Sequence, residues 1–442
     1  MSFRAYPEYK PSGFDWLPEV PAHWVDRKIA RDIPFVVGWT PPSGKDEYYD
    51  GDFPWVTIAD MTQMSVEDTK SKISHLAVQD KGAKVVPAGS MLFSFKLSVG
   101  KIAFLTIDSY TNEAIAGFLS CGPLDLEYWK YAAPEFIPRY GRENIYGATL
   151  LNQELISSVR FSAPARAEQT QIARFLDHET ARIDALIEEQ QRLIELLKEK
   201  RQAVIFQAVT KGLDPAVSMK DSGVEWLGEM PAHWVVSRAK LVSDIFVPQR
   251  NKPELNDSEG IAWVTMEDMN GGYISATNLK VTELAADEAG SKVLKKGAVI
   301  ASCVGRFGIV AINAVDVVIN QQLQAFEPRK IKAEYLKNIV SLSKEYFELI
   351  GTAATLVYVN QQGFENLPVL IPFGSEQESI CLYVDEASAR FDALLSQSFE
   401  SIQLLQERRS ALISAAVTGK IDVRGWQPPA SAPTPELTQE AV

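Results

Sequence analysis

Two histidines, His23 and His233, occupy the same slot of a repeated Pro-Ala-His-Trp tetrad. An imidazole titrates near neutrality and is the first side chain to consider for general acid–base work. A base needs a nucleophile to activate, and no cysteine or serine is duplicated directly beside both. Trp16, Leu17 and Trp24 around the first histidine read instead as a hydrophobic clasp, so both rings are expected to be packed with their nitrogens satisfied. A phosphate-binding loop needs Gly-x4-Gly-Lys-Ser/Thr, so that backbone amides wrap the phosphate and the hydroxyl meets magnesium. Gly38 and Gly44-Lys45 are one residue too far apart, with Asp46 in place of the hydroxyl, and Gly419-Lys420 is followed by Ile421. An amino-methyltransferase needs a Gly-rich cofactor loop and an Asn/Asp-Pro-Pro-aromatic turn for the target base. Thr40-Pro41-Pro42-Ser43 and Gln427-Pro428-Pro429-Ala430 lack both the acid or amide and the aromatic. Asp26-Arg27-Lys28 has an acid-x-Lys spacing, but a metal-dependent nuclease wants several carboxylates and no Pro-Asp lies upstream. Cys121, Cys303 and Cys381 lie far apart, and only four histidines could join them at a metal. No catalytic residue and no metal site are expected in this chain.

What positions these residues is a duplication, which sets the architecture before any local reading. Residues 10 to 25 recur at 220 to 235 with 11 of 16 positions identical. The offset then settles at 208: Trp55-Val56-Thr57 with Asp60-Met61 meets Trp263-Val264-Thr265 with Asp268-Met269. Gly89, Ser94, Gly100, Asn112 and Pro164 likewise meet Gly297, Ser302, Gly308, Asn320 and Pro372. A length of 442 residues, at roughly 100 to 200 per domain, makes two to four units. The 46% hydrophobic and 23% charged composition is that of ordinary globular chains. No apolar run approaches the roughly 18 residues of a membrane span, and the N-terminus has no signal-peptide core, so a soluble, cytoplasmic protein is expected.

Each copy ends in a long helical pattern, from Glu168-Gln169 to Thr210 and from Glu376-Gln377 to Thr418, with 19 of 43 positions identical. In the first, Ile183, Ile187, Ile194, Leu197 and Val204 recur at steps of three and four, interrupted by Gln190 and Arg201. In the second, Phe391, Leu394, Ile402, Leu405 and Leu412 repeat the stripe. A stripe on one face with charges opposite is the signature of a helix packed on another helix. About 35 helical residues would span roughly 50 Å. The blocks between are rich in short runs such as Val299-Ile300-Ala301, punctuated by Gly and Pro, which read as mixed α/β domains. Gly89, Gly297, Gly100 and Gly308 are expected at tight turns. The fold class is therefore mixed α/β, with two homologous domains separated by two long helices that form an antiparallel coiled coil. The boundaries fall at 1–165 and 213–374 for the domains and at 166–212 and 375–421 for the helices, with a disordered, Pro- and Ala-rich tail over 422–442.

The repeated Ser-Gly-x-x-Trp-Leu-x-Glu-x-Pro-Ala-His-Trp entry, the Pro-x-x-x-Glu-Gln helix start and the Ala-Val-Thr-Gly-Lys-Ile-Asp-Val-Arg close at 416–424 together resemble the specificity subunit of type I restriction-modification systems. The likeness covers residues 6 to about 425. It implies a non-catalytic subunit whose two target recognition domains each read one half of a split double-stranded DNA sequence. Two methyltransferase subunits would dock on the helix pair, and restriction/translocase subunits would complete the assembly. S-adenosylmethionine, ATP and magnesium would belong to those partners, and this chain would bind no cofactor and no membrane.

Bases are read by hydrogen bonds to their edges, while phosphate contacts position the protein, so polar and basic loop residues that differ between copies are the candidates. These are Lys96 and Lys101 near the first glycine turn, Arg139, Arg142 and Asn144 before Gly147, Arg306 near the second glycine turn, and Lys344, Thr355 and Tyr358 in the second copy. The net charge of -13 argues the other way. Residues 1–165 carry 16 basic and 20 acidic side chains and residues 211–375 carry 16 and 19, so no segment is basic. Modest affinity of the lone chain for DNA is expected, with partners supplying much of the positive clamp. The competing classes are a non-catalytic coiled-coil scaffold or adaptor that binds protein partners, and a single-chain enzyme of another type.

Overall fold

The short apolar runs form strands where β-branched and aromatic residues cluster between Gly and Pro breaks. In the computed structural model, which describes residues 4–96, 98–143, 149–269, 272–351 and 357–429, they build the same pair of sheets twice. The chain divides into two units, Met1–Gln190 with Glu400–Val442, and Gln191–Phe399.

In the first unit the strands Phe35–Val37 (β1), Ser65–Val66 (β2), Met91–Ser94 (β3), Ile102–Leu105 (β4) and Ile115–Phe118 (β5) form one sheet in the order β1-β5-β3-β4-β2. Only the β2–β4 pair is parallel. The central strand β3 is buried along its whole length, so it reads as a continuous apolar run. Its core continues through Trp129 and Phe136 of the helix Leu126–Phe136 to Phe161, all at most 1% exposed.

The second unit repeats this arrangement strand for strand. Ser243–Phe246 (β6), Tyr273–Ile274 (β7), Val299–Ser302 (β8), Val310–Asn313 (β9) and Leu323–Pro328 (β10) follow the order β6-β10-β8-β9-β7, again with one parallel pair, β7–β9. The small second sheets correspond as well. Phe53–Val56 lies between a parallel and an antiparallel neighbour, as does Ile261–Val264. The repeated Trp-Val-Thr and Asp-Met motif is the turn after that strand. Asp60 Oδ2 accepts from Thr57 N at 2.8 Å and from Thr57 Oγ1 at 2.7 Å, and Asp268 Oδ2 accepts from the same two groups of Thr265, each at 2.8 Å. A side chain that satisfies the backbone two to three residues away is what makes Asp a turn residue.

The two long helices are Arg166–Lys211 (α1) and Gly374–Val417 (α2), of 46 and 44 residues. At 1.5 Å per residue each runs roughly 65–70 Å, longer than the sequence periodicity alone indicated. In the first unit Ile172, Phe175 and Leu176 of α1 share one core with Ala416 and Val417 of α2. In the second, Ala208 and Val209 share one with Ile380 and Val384. The two helices run antiparallel in each unit. No helix is long and apolar enough to cross a membrane, and no cluster of His, Cys, Asp or Glu could hold a metal, among the described residues.

Residues 422–426, expected to belong to a disordered tail, are packed instead. Val423 is 1% exposed, Trp426 packs edge-on against Phe175 with ring centroids 5.3 Å apart, and Gln171 Nε2 donates to the carbonyls of Val423 and Trp426. A valine and a tryptophan bury enough apolar surface to order a segment that its prolines alone would not. Residues 430–442 lie outside the described residues.

Candidate functional site

The Glu-Gln pair that opens each long helix is a brace. Gln169 is fully buried; its Oε1 accepts from Asp125 N at 2.8 Å and its Nε2 donates to Pro164 O at 2.9 Å. Gln377 does the same with Lys332 N at 3.1 Å and Pro372 O at 3.0 Å. Each amide thus ties the helix start to its own domain through backbone groups that would otherwise be unpaired in the core. Glu168 accepts from Tyr6 Oη at 2.8 Å and Trp24 Nε1 at 3.1 Å, and pairs with His23 Nε2 at 2.8 Å. Burial and this carboxylate push the Tyr6 phenol well up, which keeps it a donor. Glu376 pairs with His233 at 3.0 Å. The repeated histidines are therefore satisfied, as their context predicted, but at the surface: the His23 side chain is 43% exposed and the His233 side chain 36%. Burial pushes the Cys303 and Cys381 thiols up to about 12 and about 11, so neither is a thiolate at neutral pH.

The glycine turns close the loops 95–101 and 303–309, between β3 and β4 and between β8 and β9. Gly100 has φ 93° and Gly308 φ 83°, a region that residues with a Cβ avoid. Four hydrogen bonds recur at the 208-residue offset. Phe95 N donates to Ala114 O as Cys303 N donates to Gln322 O, both at 2.9 Å. Ser98 N donates to Lys96 O at 2.8 Å as Arg306 N does to Val304 O at 2.9 Å. Ser94 N donates to Lys101 O at 2.9 Å as Ser302 N does to Ile309 O at 3.1 Å. The buried hydroxyls of Ser94 and Ser302 donate to the carbonyls of Ser98 and Arg306.

The residues expected to face DNA are placed unequally. Lys96 and Arg306 are exposed on these loops, and neither makes an ion pair among the described residues. Lys101 is tied down: its Nζ donates to Ile58 O at 3.3 Å. Arg139 lies against the Glu135 carboxylate and over the Trp16 ring, 4.5 Å from its centroid. Arg142 is exposed on a short strand paired with Leu150. Lys344 opens the helix Lys344–Ile350, 3.7 Å from Glu348. Tyr358, 40% exposed, bridges to Val304 and so stands beside the Arg306 turn. Asn144 and Thr355 lie outside the described residues. The structure thus brings Arg306 and Tyr358 together.

On the helices Ile183 and Ile194 are buried, and Ile187, Leu197, Val204, Phe391, Ile402, Leu405 and Leu412 are half-buried. Leu394 is the exception at 42% exposed. The inward stripe of α2 runs 391, 395, 398, 402, 405, and it takes Leu395 and the buried Ser398 in its place. Periodicity counts apolar residues, and here a serine holds the inward position. One of the polar interruptions, Arg201, makes an interhelical ion pair, its Nη1 2.9 Å from Asp392 Oδ1, and its counterpart Arg409 meets Asp184. Sequence reasoning passed over these pairs, although both lie among the repeated identities.

A family model described as the type I restriction modification DNA specificity domain matches residues 31–197 and again 231–403. The chain is 23% identical over 446 residues to the type I restriction enzyme MjaIX specificity subunit of Methanocaldococcus jannaschii, covering 96% of this chain and 98% of that one. It is 22% identical over 330 residues to the StySPI specificity subunit of Salmonella potsdam, covering 70% and 69%. Among solved structures, one reported for complex assembly and conformational transition of the type I R-M system superposes with a TM-score of 0.65 at 18% identity, over 91% of this chain and 99% of that one. The HsdS subunit from Thermoanaerobacter tengcongensis gives 0.51 at 16%, over 91% and 98%. At these identities the solved structures share the fold.

Proposed function

The chain belongs to the type I restriction-modification DNA specificity family and carries its domain twice, and we propose that it supplies the sequence address of a complex whose chemistry resides in other polypeptides. It is a recognition subunit and not the catalyst. The single observation that carries this reading is the double family match, laid on two sheets of identical strand order.

In this reading each domain reads one half of a bipartite DNA target, and the long helices set the separation. Because the loop side chains of the two copies differ, the half-sites differ and the target is asymmetric. The helix pair docks two methyltransferase subunits, which bring S-adenosylmethionine, and the restriction subunits bring ATP and magnesium. Such an assembly works on DNA in the cytoplasm. The acidic balance of both domains supports partners that supply positive potential around the duplex.

The test is to express the chain with the modification subunits of its own system and to map the methylated sites in host DNA. Two short specific blocks flanking an unspecific gap are expected. A contiguous motif, or modification without this chain, would overturn the reading.

A further inference from the structure

The two loops that follow the central sheet strands share one set of backbone braces although, of their seven residues, only Gly100 and Gly308 match, and they carry different side chains at the tip, position 98 or 306. Every brace described above recurs: the buried serine hydroxyl on the carbonyl of residue 98 or 306, the amide of that same residue on the carbonyl two before it, and the glycine with positive φ two after it. These contacts are made by backbone and by buried serines, so they leave the tip side chain free. The first copy places Ser98 there and the second places Arg306. Both are exposed.

The second loop is held further. Gly305 N donates to Val357 O and Val359 N donates to Cys303 O, both at 2.9 Å, and Gln324 Nε2 holds Val359 O at 3.1 Å. The guanidinium of Arg306 is thus mounted on a turn fixed from both sides, and no carboxylate engages it among the described residues. This distinguishes it from Arg139 and Lys344, which lie against Glu135 and Glu348, and from Lys101, which holds Ile58. A rigidly based arginine whose fork has no protein partner matches the two acceptors, O6 and N7, that guanine presents in the major groove. Pre-ordering of the turn lowers the entropy lost on contact.

Resting on the proposed function, we infer that residue 306 is a base-reading position and that Arg306 specifies a guanine in the half-site of the second domain, with Ser98 the homologous position for the other half-site. The duplication then varies the tip side chain on a shared backbone frame.

The experiment uses the whole modification complex and maps methylated sites in host DNA for the wild type and for complexes carrying Arg306→Ser, Arg306→Lys or Ser98→Arg. Arg306→Ser is expected to relax one guanine in one half-site, with discrimination at that base falling by about tenfold or more. The other half-site and the gap stay unchanged. Arg306→Lys, which keeps a donor without the fork, should retain part of the preference. Ser98→Arg should alter a base in the opposite half-site. The inference is overturned if Arg306→Ser leaves every position of the motif as it was, if it lowers methylation evenly at all sites, or if the changes from 306 and 98 fall in the same half-site. Should Arg306→Ser not assemble, the inference stands or falls on whether Arg306→Lys weakens one guanine alone. A wild-type complex with no bipartite motif would sink the underlying function instead, so the two failures are distinguishable.

Discussion

Arg409 holds Asp184 with both arms of its guanidinium, Nε 2.8 Å from Oδ1 and Nη2 3.2 Å from Oδ2, and its counterpart 208 residues earlier, Arg201, holds Asp392, which is Asp184 plus the same offset. One arginine and one aspartate of each helix, Arg201 and Asp184 of the first and Arg409 and Asp392 of the second, find the complementary charge on the other helix. Such pairs set register more than they add stability, because they are partly exposed and screened. The charge swap Asp184→Arg with Arg409→Asp should recover most of what either single change loses. A double-mutant cycle by denaturant unfolding is expected to give a coupling of about 0.2–1 kcal/mol; a coupling of zero would show that the two charges do not interact in solution.

The two helix-start glutamates should differ in weight. Glu168 satisfies the buried Tyr6 hydroxyl and Trp24 indole, whereas Trp234 Nε1 has no partner among the described residues and Glu376 holds His233 at the surface. Glu168→Ala leaves two buried donors unpaired and should cost about 2–4 kcal/mol, while Glu376→Ala should cost under about 1 kcal/mol. Equal losses in the unfolding midpoints of the two variants would contradict the asymmetry.

Acid should loosen the first domain at Asp60. Burial alone would raise its carboxyl, but the Lys70 amide and the hydroxyl and amide of Thr57 outweigh burial and hold it below the usual carboxylate range. A depressed folded-state value means that stability is present above the unfolded value of about 3.9 and is lost as pH falls through the folded one. Asp60→Asn should therefore narrow its gap from wild type as pH drops below about 4. Melting curves from pH 3 to 7 that stay parallel would count against this.

Length, not loop chemistry, should control the gap in the target. Seven residues inserted into each long helix at matched positions keep the inward stripe in phase and add about 10 Å, close to three base pairs. Methylation mapping should find a gap wider by about that much, with both half-sites unchanged; an altered half-site would place base reading partly on the helices.

Much of this was legible in the sequence because the relevant signals are local or repeated. The 208-residue offset alone requires one topology to occur twice, and the three–four periodicity alone requires long helices with an inward stripe. The Gly100 and Gly308 turns follow from a backbone angle that only glycine adopts without strain. Which polar side chains remain free was decided by contacts between residues far apart in the chain. Lys96 and Lys101 look equivalent in sequence, yet the second reaches back to the carbonyl of Ile58 and the first does not. Leu394 fits the helical count, but the inward position belongs to Ser398. Val423 and Trp426 sit in a segment whose composition suggests a tail, and only the presence of Phe175 and Gln171 across the fold gives them a core to join. Periodicity is set by the backbone of one element, whereas partnership depends on which element arrives opposite, and that is a property of the tertiary structure.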